Sequence, residues 1–285
     1  MKVKSMSPLS YPGGKMKVVK RLLSPLFPND FENYYEPFIG GGSVALYVAQ
    51  LFPNKKIFIN DIAENLIHLW KQIKDNTSIL IKDLHEIRDL FPQDDLKMGE
   101  VLLEEMMEKL DDNISSSLEK AIAFYVVNKI SFSGLSENTH KISKHNYKNK
   151  FNHVNIDKLK EVSQQTKNFE IYNEDFIKFL EKPRPNDFVF LDPPYKINQT
   201  LYGKNGKYHS NFDHYKLKEM LLDADYKWLM TYNDSDEIRE MYENFIIENA
   251  EYRYCMSFNT DDNGNKVTRF KNELIIRNYN YESSI

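Results

Sequence analysis

The chain has 285 residues, 41% of them hydrophobic and 28% charged with both signs mixed, so it can fold around one large core or two smaller ones. Its net charge of −4 argues mildly against nucleic-acid binding, although the distribution of charge matters more. The single cysteine excludes an internal disulfide and fits a reducing compartment. No run is apolar enough for a signal peptide or a membrane span, so we expect a cytoplasmic or otherwise intracellular protein without a membrane partner.

Strand and helix signals alternate in the first part of the chain. Two short apolar runs, YYEPF at 34–38 and KIFIN at 56–60, predict buried strands. Each is followed by a stretch with helical spacing, at Ser43–Leu51 and Ala63–Lys74. This alternation is typical of a sheet whose parallel strands are joined by helices.

The pattern changes between 67 and 165, where apolar residues recur at helical spacing. Helices are predicted in ILIKDLHEIRDLF, EVLLEEMMEKL and SSLEKAIAFYVVNKI, of which the last opens with serine caps. A polar loop rich in Ser, Asn, His and Lys is predicted at 131–153. We therefore expect a mostly helical insertion at 67–165 within a domain formed by 1–66 and 166–285.

Strand signals return after the insertion. The apolar runs are FEIYN (169–173), followed by a helix-like FIKFLEK, then DFVFLD (187–192), WLMTY (228–232) and NFIIENA (244–250). YRYCMSF and ELIIRNY, joined by the turn-rich TDDNGN, predict an antiparallel hairpin. The predicted fold class is α/β, an open Rossmann-like sheet that binds its ligands at the carboxyl ends of the strands.

A glycine cluster lies between the first predicted strand and its helix. Gly40, Gly41 and Gly42 allow close approach to the backbone, and the helix start presents N–H groups without helical partners. Asp61 ends the next strand 21 positions after Gly40, where a carboxylate can accept hydrogen bonds from ribose hydroxyls. This arrangement favours a nucleoside ligand over a plain tight turn. It also fits the loose G-x-G-x-x-A pattern of nicotinamide dehydrogenases.

Two weaker signals accompany this cluster. Tyr11-Pro12-Gly13-Gly14-Lys15 is a second glycine turn, which leads into a helix expected to begin near Lys15. Asp175 and Phe176 follow the strand at 169–173 and bring an acid and an aromatic ring to the same sheet edge. An acid in that position is usually a helix N-cap, a role that Asp175 can combine with ligand contact.

The most specific signal is Asp192-Pro193-Pro194-Tyr195, directly after the apolar run at 187–191. Two prolines fix the backbone and remove two N–H donors, which leaves a rigid loop rich in carbonyl groups. The acid before the prolines and the aromatic ring after them predict a polar pocket with a stacking wall. We take these four residues as the candidate catalytic set.

The ordered blocks of the chain resemble the Dam-type adenine-N6 DNA methyltransferases of the alpha group, and the resemblance covers nearly the whole sequence. The matching blocks are Tyr11–Lys15, Tyr34–Val44, Asn60–Ile67, Asn128–Leu135, Glu174–Phe176, Asp192–Tyr195, Phe212–Tyr215 and Trp228–Asp234. The resemblance implies a sheet that binds S-adenosylmethionine and an inserted target-recognition domain at 67–165. It also implies methyl transfer to the N6 atom of an adenine flipped out of double-stranded DNA.

The resemblance assigns roles to individual positions. Asp192 and the Pro193 carbonyl would accept hydrogen bonds from adenine N6, while Tyr195 would stack on the flipped base. Asp61 would bind the ribose of the cofactor, and Asp175 with Phe176 would contact its adenine. The full cofactor set is Tyr11, Pro12, Gly13, Gly14, Lys15, Glu36, Phe38, Gly40, Gly42, Asp61, Ile62, Asp175, Phe176 and Asp192.

DNA contacts are expected from the insertion. Between Lys141 and Lys160 the chain carries six lysines and one acid, a pattern that suits phosphate contacts. The relatives that methylate GATC carry a guanine-reading arginine shortly after their NGL motif, whereas this chain has Glu137 in that region, so GATC specificity is not implied. Glutamate can accept from cytosine N4 or face solvent. The candidate set is Asn128, Lys129, Ser133, Leu135, Glu137, Lys141, Lys144, Lys148 and Lys150.

Several alternatives remain open at this stage. The target amine could belong to RNA adenine, or the chain could be a catalytically silent DNA-binding regulator with the same fold. Cytosine and glutamine methylation are disfavoured because relatives with those substrates tend to carry Ser or Asn where Asp192 stands. No histidine spacing suggests a metal site. A cognate restriction endonuclease is a further expected partner.

Overall fold

Seven strands of the described chain form one sheet in the order β3-β2-β1-β4-β5-β7-β6. The computed structural model describes residues 7–11, 14–132, 141–196, 211–260 and 266–280. The strands are β1 Tyr34–Glu36, β2 Ile57–Asn60, β3 Phe169–Tyr172, β4 Phe188–Leu191, β5 Lys227–Asn233, β6 Ile246–Thr260 and β7 Lys266–Arg277. Pairings among β1 to β5 are parallel, whereas β7 is antiparallel to both β5 and β6. The predicted α/β class, Rossmann-like sheet and C-terminal hairpin are confirmed.

Helices cover both faces of this sheet. They are α1 Ser43–Leu51, α2 Glu64–Asp75, α3 Thr77–Leu90, α4 Leu96–Asp111, α5 Ser117–Ile130, α6 Lys144–Asn149, α7 His153–Asp157, α8 Leu159–Gln165, α9 Phe176–Leu180, α10 His214–Leu222 and α11 Asp236–Met241. The predicted bounds of α1 are reproduced. Ser116 caps α5 in a reciprocal capping box with Glu119, as the serines of the sequence indicated. Within the described residues, no helix has the length and apolar character that a membrane span requires.

Three local predictions need correction. The polar loop expected at 131–153 contains helix α6, which begins where the Ser143 side chain accepts a hydrogen bond from the Asn146 amide. The runs at 244–250 and 252–258 form one long strand, β6, because both pair with β7 across a register shift after Arg253. The helix expected near Lys15 is a 3₁₀ turn at Lys15–Lys17 followed by a π-helical turn at Val19–Leu23.

Two apolar clusters lie on opposite faces of the sheet because successive strand residues point to opposite sides. Tyr34, Phe188 and Phe190 belong to the cluster that includes α1 to α5, whereas Tyr35, Val189 and Leu191 belong to the cluster that includes α9 to α11. The helical region at 67–165 thus shares a core with one face of the sheet, and the predicted boundary at 66/67 falls inside α2. Its role as a separate target-recognition domain stays a prediction.

Candidate active site

Polar side chains from adjacent strands meet at one edge of the sheet. Asp192 follows the last residue of β4, and the Thr231 hydroxyl of β5 donates to its Oδ1 at 2.8 Å. Glu273 is near the middle of the long strand β7 and pairs in register with Asn233 at the end of β5, because β7 runs in the opposite direction. The carboxyl ends of the parallel strands and one point on β7 therefore assemble a single polar cluster.

Lys15 lies inside this cluster. Its Nζ is 2.7 and 2.8 Å from the two carboxylate oxygens of Asp192 and 3.1 Å from the Tyr195 hydroxyl. A second carboxylate, Glu273, has Oε2 3.8 Å from the same Nζ. The Lys15 and Glu273 side chains are 4% and 3% exposed, against 22% for Asp192. Asp192 is thus the more open of the two carboxylates.

The Tyr195 ring is held from two sides. Its hydroxyl donates to Glu273 at 2.9 Å, and its ring stacks on Tyr232 with centroids 5.7 Å apart at an interplanar angle of 16°. The Lys15 Nζ lies 5.2 Å from the Tyr195 centroid. One face of the Tyr195 ring is thus covered by Tyr232.

The glycine loop packs against aromatic rings of the protein itself. Gly40 and Gly42 have φ of 45° and 69°, in the left-handed region that side chains disfavour. A Cβ on Gly40 would lie 2.9 Å from the Tyr11 ring, and one on Gly42 only 2.4 Å from the Trp70 ring. The Trp70 indole N–H also donates to the Gly40 carbonyl at 3.2 Å. Glycine is therefore required here by the packing of Tyr11 and Trp70.

Asp61 connects the second strand to this loop. Its Oδ2 accepts from the Gly40 amide at 3.1 Å, and its Oδ1 accepts from the Ala63 amide at 3.1 Å. The next residue, Ile62, is 46% exposed although it is apolar. A carboxylate beside an exposed aliphatic side chain suits a nucleoside, because the sugar offers hydroxyl donors and the base offers an apolar face.

Glu36, at the end of β1, is a buried acid. The Tyr34 hydroxyl donates to its Oε2 at 2.6 Å. Burial raises the pKa of Glu36 well above its usual value, and the charges of Asp192 and Asp61 raise it further, against the opposing effect of the Tyr34 bond. Burial therefore favours the protonated form of Glu36 relative to that of an exposed glutamate.

Aromatic rings and a helix cap complete the edge. The rings of Phe38, Phe176 and Phe212 contact one another, with centroids 5.0 to 5.9 Å apart. Asp175 is exposed and caps α9 by accepting from the Ile177 amide, which confirms its predicted N-cap role. Phe212 was only part of a matching block in the sequence, and its contact with Phe38 depends on the fold.

The insertion residues divide into buried and exposed groups. Asn128 is fully buried, and its side-chain amide exchanges two hydrogen bonds with the Ser10 backbone, at 3.0 and 2.9 Å. Lys129 is also buried, and burial, with help from nearby Lys150 and Lys158, lowers its pKa to about 8. Asn128 and Lys129 would have to leave the core to touch DNA, so the structure does not support the contact predicted for them.

Most of the lysines predicted to contact phosphates are exposed. Lys141, Lys144 and Lys148 are exposed, and the last two lie one turn apart on α6. Lys150 is partly buried and donates to the Ser10 hydroxyl at 3.3 Å. The remaining predicted site residues Pro12, Gly13, Ser133, Leu135 and Glu137 lie outside the described residues.

Two members of the polar cluster were missed in the sequence. Thr231 interrupts the apolar run WLMTY, and Glu273 directly precedes the three apolar residues of ELIIRNY. A carboxylate beside the buried apolar residues of a strand is costly unless it has partners, and this cost is the signal in the sequence that points to Glu273. Trp70 carries no comparable signal, because an apolar helix face predicts only burial.

Together, the sheet order and the polar cluster that follows β4 fit a Rossmann-like methyltransferase. A family model described as D12 class N6 adenine-specific DNA methyltransferase matches residues 11–256. The chain belongs to this family. It is an enzyme, a site-specific DNA methyltransferase that acts on adenine N6.

Individual relatives agree with the family match. Type II methyltransferase M.MjaIII of Methanocaldococcus jannaschii is 28% identical, over 94% of this chain and 90% of its own length. Type II methyltransferase M1.LlaDCHI of Lactococcus lactis subsp. cremoris is also 28% identical, over 94% of this chain and 93% of its own. A DNA adenine methylase of Haemophilus influenzae is 26% identical over 69% and 68%. The first two similarities extend across nearly the whole chain.

Proposed function

We propose that the enzyme transfers the methyl group of S-adenosylmethionine to an adenine flipped out of double-stranded DNA, with Asp192 as the acceptor of the target amine. The observation that carries this proposal is the position of Asp192. It stands at the carboxyl end of the central strand β4, is 22% exposed, and has both oxygens in the polar cluster, with only β1 between it and the strand that Asp61 follows.

The methyl donor is proposed to lie across the ends of β1, β2 and β3. Asp61 suits the ribose hydroxyls because a carboxylate offers about four acceptor positions. The buried carboxyl of Glu36 suits a cationic amine, whose charge would offset its burial and its repulsion by Asp192. When bound, S-adenosylmethionine supplies a methyl group made electrophilic by its sulfonium. Ile62, Phe38 and Phe176 offer apolar surface for the adenine ring.

The target adenine is proposed to meet Asp192 and the Pro193 carbonyl. Adenine N6 is a poor nucleophile because its lone pair is delocalised into the ring. Two acceptors aimed at its N–H groups favour a pyramidal nitrogen with a directed lone pair, so positioning and electrostatics supply much of the rate. Flipping costs a few kcal/mol, and stacking on Tyr195 would recover about 1–3 kcal/mol.

DNA is proposed to lie against the insertion at 67–165. The exposed lysines 141, 144 and 148 suit phosphate contacts, which fix register but do not read sequence. Sequence reading is assigned to Ser133, Leu135 and Glu137 on the strength of the resemblance. The names of M.MjaIII and M1.LlaDCHI describe type II methyltransferases, which supports a cognate restriction endonuclease as partner.

The test is label transfer by the purified protein. Tritiated S-adenosylmethionine is incubated with double-stranded DNA, or with RNA of the same sequence, and the modified adenines are mapped at single-base resolution. We expect label in DNA at one short sequence. Absence of label, or label in RNA instead of DNA, would contradict the proposal. Cleavage of the unmethylated but not the methylated site by a host extract would support the endonuclease.

A further inference from the structure

The ammonium of Lys15 stands where the target amine is expected to bind. It donates to both Asp192 oxygens at 2.7 and 2.8 Å, and Thr231 donates to Oδ1 as well. An adenine N6 that approaches Asp192 therefore competes with Lys15 for the same acceptor. A cation at this point also opposes the reaction, because positive charge develops on N6 as the methyl group arrives.

A second carboxylate stands behind the lysine. Glu273 Oε2 is 3.8 Å from Lys15 Nζ, beyond a hydrogen bond but within ion-pair distance. The Tyr195 hydroxyl bridges the pair, since it accepts from Lys15 at 3.1 Å and donates to Glu273 at 2.9 Å. Lys15 thus lies between an outer carboxylate that reaches solvent and an inner one that is 3% exposed.

Lys15 can exchange one carboxylate partner for the other. Lys15 is 4% exposed, and a buried ammonium that loses its carboxylate is strongly unfavourable. A charge-assisted N–H···O bond has a length of about 2.8 Å, so a shift of about 1 Å toward Glu273 would complete one. The flexible lysine stem permits such a shift. Lys15 can therefore withdraw from Asp192 without becoming an unpaired charge.

We propose that Glu273 is a positioning residue for methyl transfer, which takes up the Lys15 ammonium when the target adenine binds Asp192. The proposal rests on the function proposed above for Asp192. With Glu273 present, Asp192, Lys15 and Glu273 together carry one negative charge, which balances the charge that develops on N6. Without Glu273, Lys15 stays on Asp192 and weakens it as an acceptor.

The test compares three variants by the single-turnover rate of label transfer, with enzyme and cofactor in excess over DNA. Glu273→Gln keeps the shape but removes the charge, and we expect a rate about 10 to 100 times slower than wild type with DNA affinity within about twofold. Lys15→Met is then added to Glu273→Gln. Because the competing cation is gone, we expect the double variant to be about tenfold faster than Glu273→Gln alone.

A faster single-turnover rate in the double variant shows that Glu273 acts by positioning Lys15. If Glu273 only stabilised the fold, the double variant would be slower than Glu273→Gln. Asp187→Asn is the control. Asp187 is also a buried carboxylate, but it stands before β4 at the opposite sheet edge, where it accepts from the Asn33 amide at 3.0 Å. We expect this variant to melt at a lower temperature with an unchanged single-turnover rate.

Each outcome has one meaning. A wild-type protein that transfers no label overturns the proposed function, and this inference with it. A wild-type protein that transfers label, with Glu273→Gln within twofold of it, overturns only this inference, as does a double variant that is no faster than Glu273→Gln. If Glu273→Gln does not fold, Glu273→Asp replaces it, because its shorter carboxylate keeps the charge. The variant should be slower than wild type and should gain rate when Lys15→Met is added.

Discussion

The sheet edge and the helical insertion use polar residues in different ways. At the edge, Lys15, Asp192 and Glu273 are drawn from distant segments and charge is concentrated in a mostly enclosed cluster. In the insertion, the exposed lysines project into solvent, while Asn128 and Lys129 are buried. A charged residue in a matching motif can thus contact substrate only where the fold brings it to an open surface. Substitutions at the sheet edge and in the insertion should therefore affect different properties of the protein.

The largest effect is expected at the edge. Asp192→Ala removes the acceptor for the target amine, so methyl transfer should fall on the order of 10³-fold or more while the protein still folds. The measurement is label transfer to DNA, with circular dichroism to verify folding. Asp95→Ala is the control in the insertion, because Asp95 only caps α4 through the Lys97 and Met98 amides. It should lose about 1 kcal/mol of stability and keep its activity. Wild-type turnover in Asp192→Ala would refute the assignment.

A substitution in the glycine loop should lower the stability of the protein. Gly42→Ala places a Cβ 2.4 Å from the Trp70 ring at a φ of 69°, so backbone strain and overpacking add. We expect the free energy of unfolding to fall by about 2–5 kcal/mol, measured by urea denaturation. Gly14→Ala is the control, because its nearest neighbour would be the Tyr11 carbonyl at 3.2 Å and its backbone is not left-handed. Equal decreases in the two variants would contradict the role assigned to Trp70 packing.

Replacement of Lys129 should raise the stability of the protein, whereas replacement of Gly42 should lower it. Below pH 8 the lysine is charged in both folded and unfolded states, and burial penalises the folded one. Between pH 8 and 10.5 the folded state loses its proton first, the unfolded state binds more protons, and wild-type stability rises with pH. Lys129→Met should therefore be up to about 3 kcal/mol more stable at pH 7, with the gain shrinking above pH 8.

The same variant also tests whether Lys129 belongs with the buried or the exposed residues of the insertion. If Lys129 stays in the core, Lys129→Met should bind DNA as wild type does in a filter-binding assay. A clear drop in affinity would show that the lysine reaches DNA, and it would restore the contact predicted from the sequence.

The smallest effect per residue is expected at the exposed lysines. Changing Lys141, Lys144 and Lys148 to Gln should reduce the slope of log affinity against log salt by about one unit for each phosphate that the protein no longer neutralises. Lys167 and Lys227, which are exposed at the opposite sheet edge, provide the control double variant. An unchanged slope in the triple variant, or an equal change in the control, would remove the lysines from the DNA surface.

Much of the fold was predictable because its signals are local. Alternating apolar runs located the strands, and the serines before α5 located its start, since periodicity and caps depend on neighbouring residues. The loop expected at 131–153 was wrong in part. Helix α6 is too short and polar for periodicity to show it, and Tyr147, buried at 1% exposure, anchors it through tertiary contacts.

The reaction class could be read from the sequence alone. Asp192-Pro193-Pro194-Tyr195 and the ordered blocks around it identified adenine-N6 methyl transfer, and the family match confirms this. Each of these signals is carried by a few neighbouring residues, so no fold was needed to read them.

Which side chains meet was settled by the tertiary structure. Lys15 reaches Asp192 across 177 positions, Asn128 reaches Ser10 across 118, and Tyr195 reaches Glu273 across 78. The contact of Tyr195 with Glu273 follows from the strand order and from the antiparallel direction of β7, which bring the end of β4 and the middle of β7 to one edge. Because the distance between two residues in the sequence does not encode the strand order, the partners of Asp192 could be found only once the sheet was assembled.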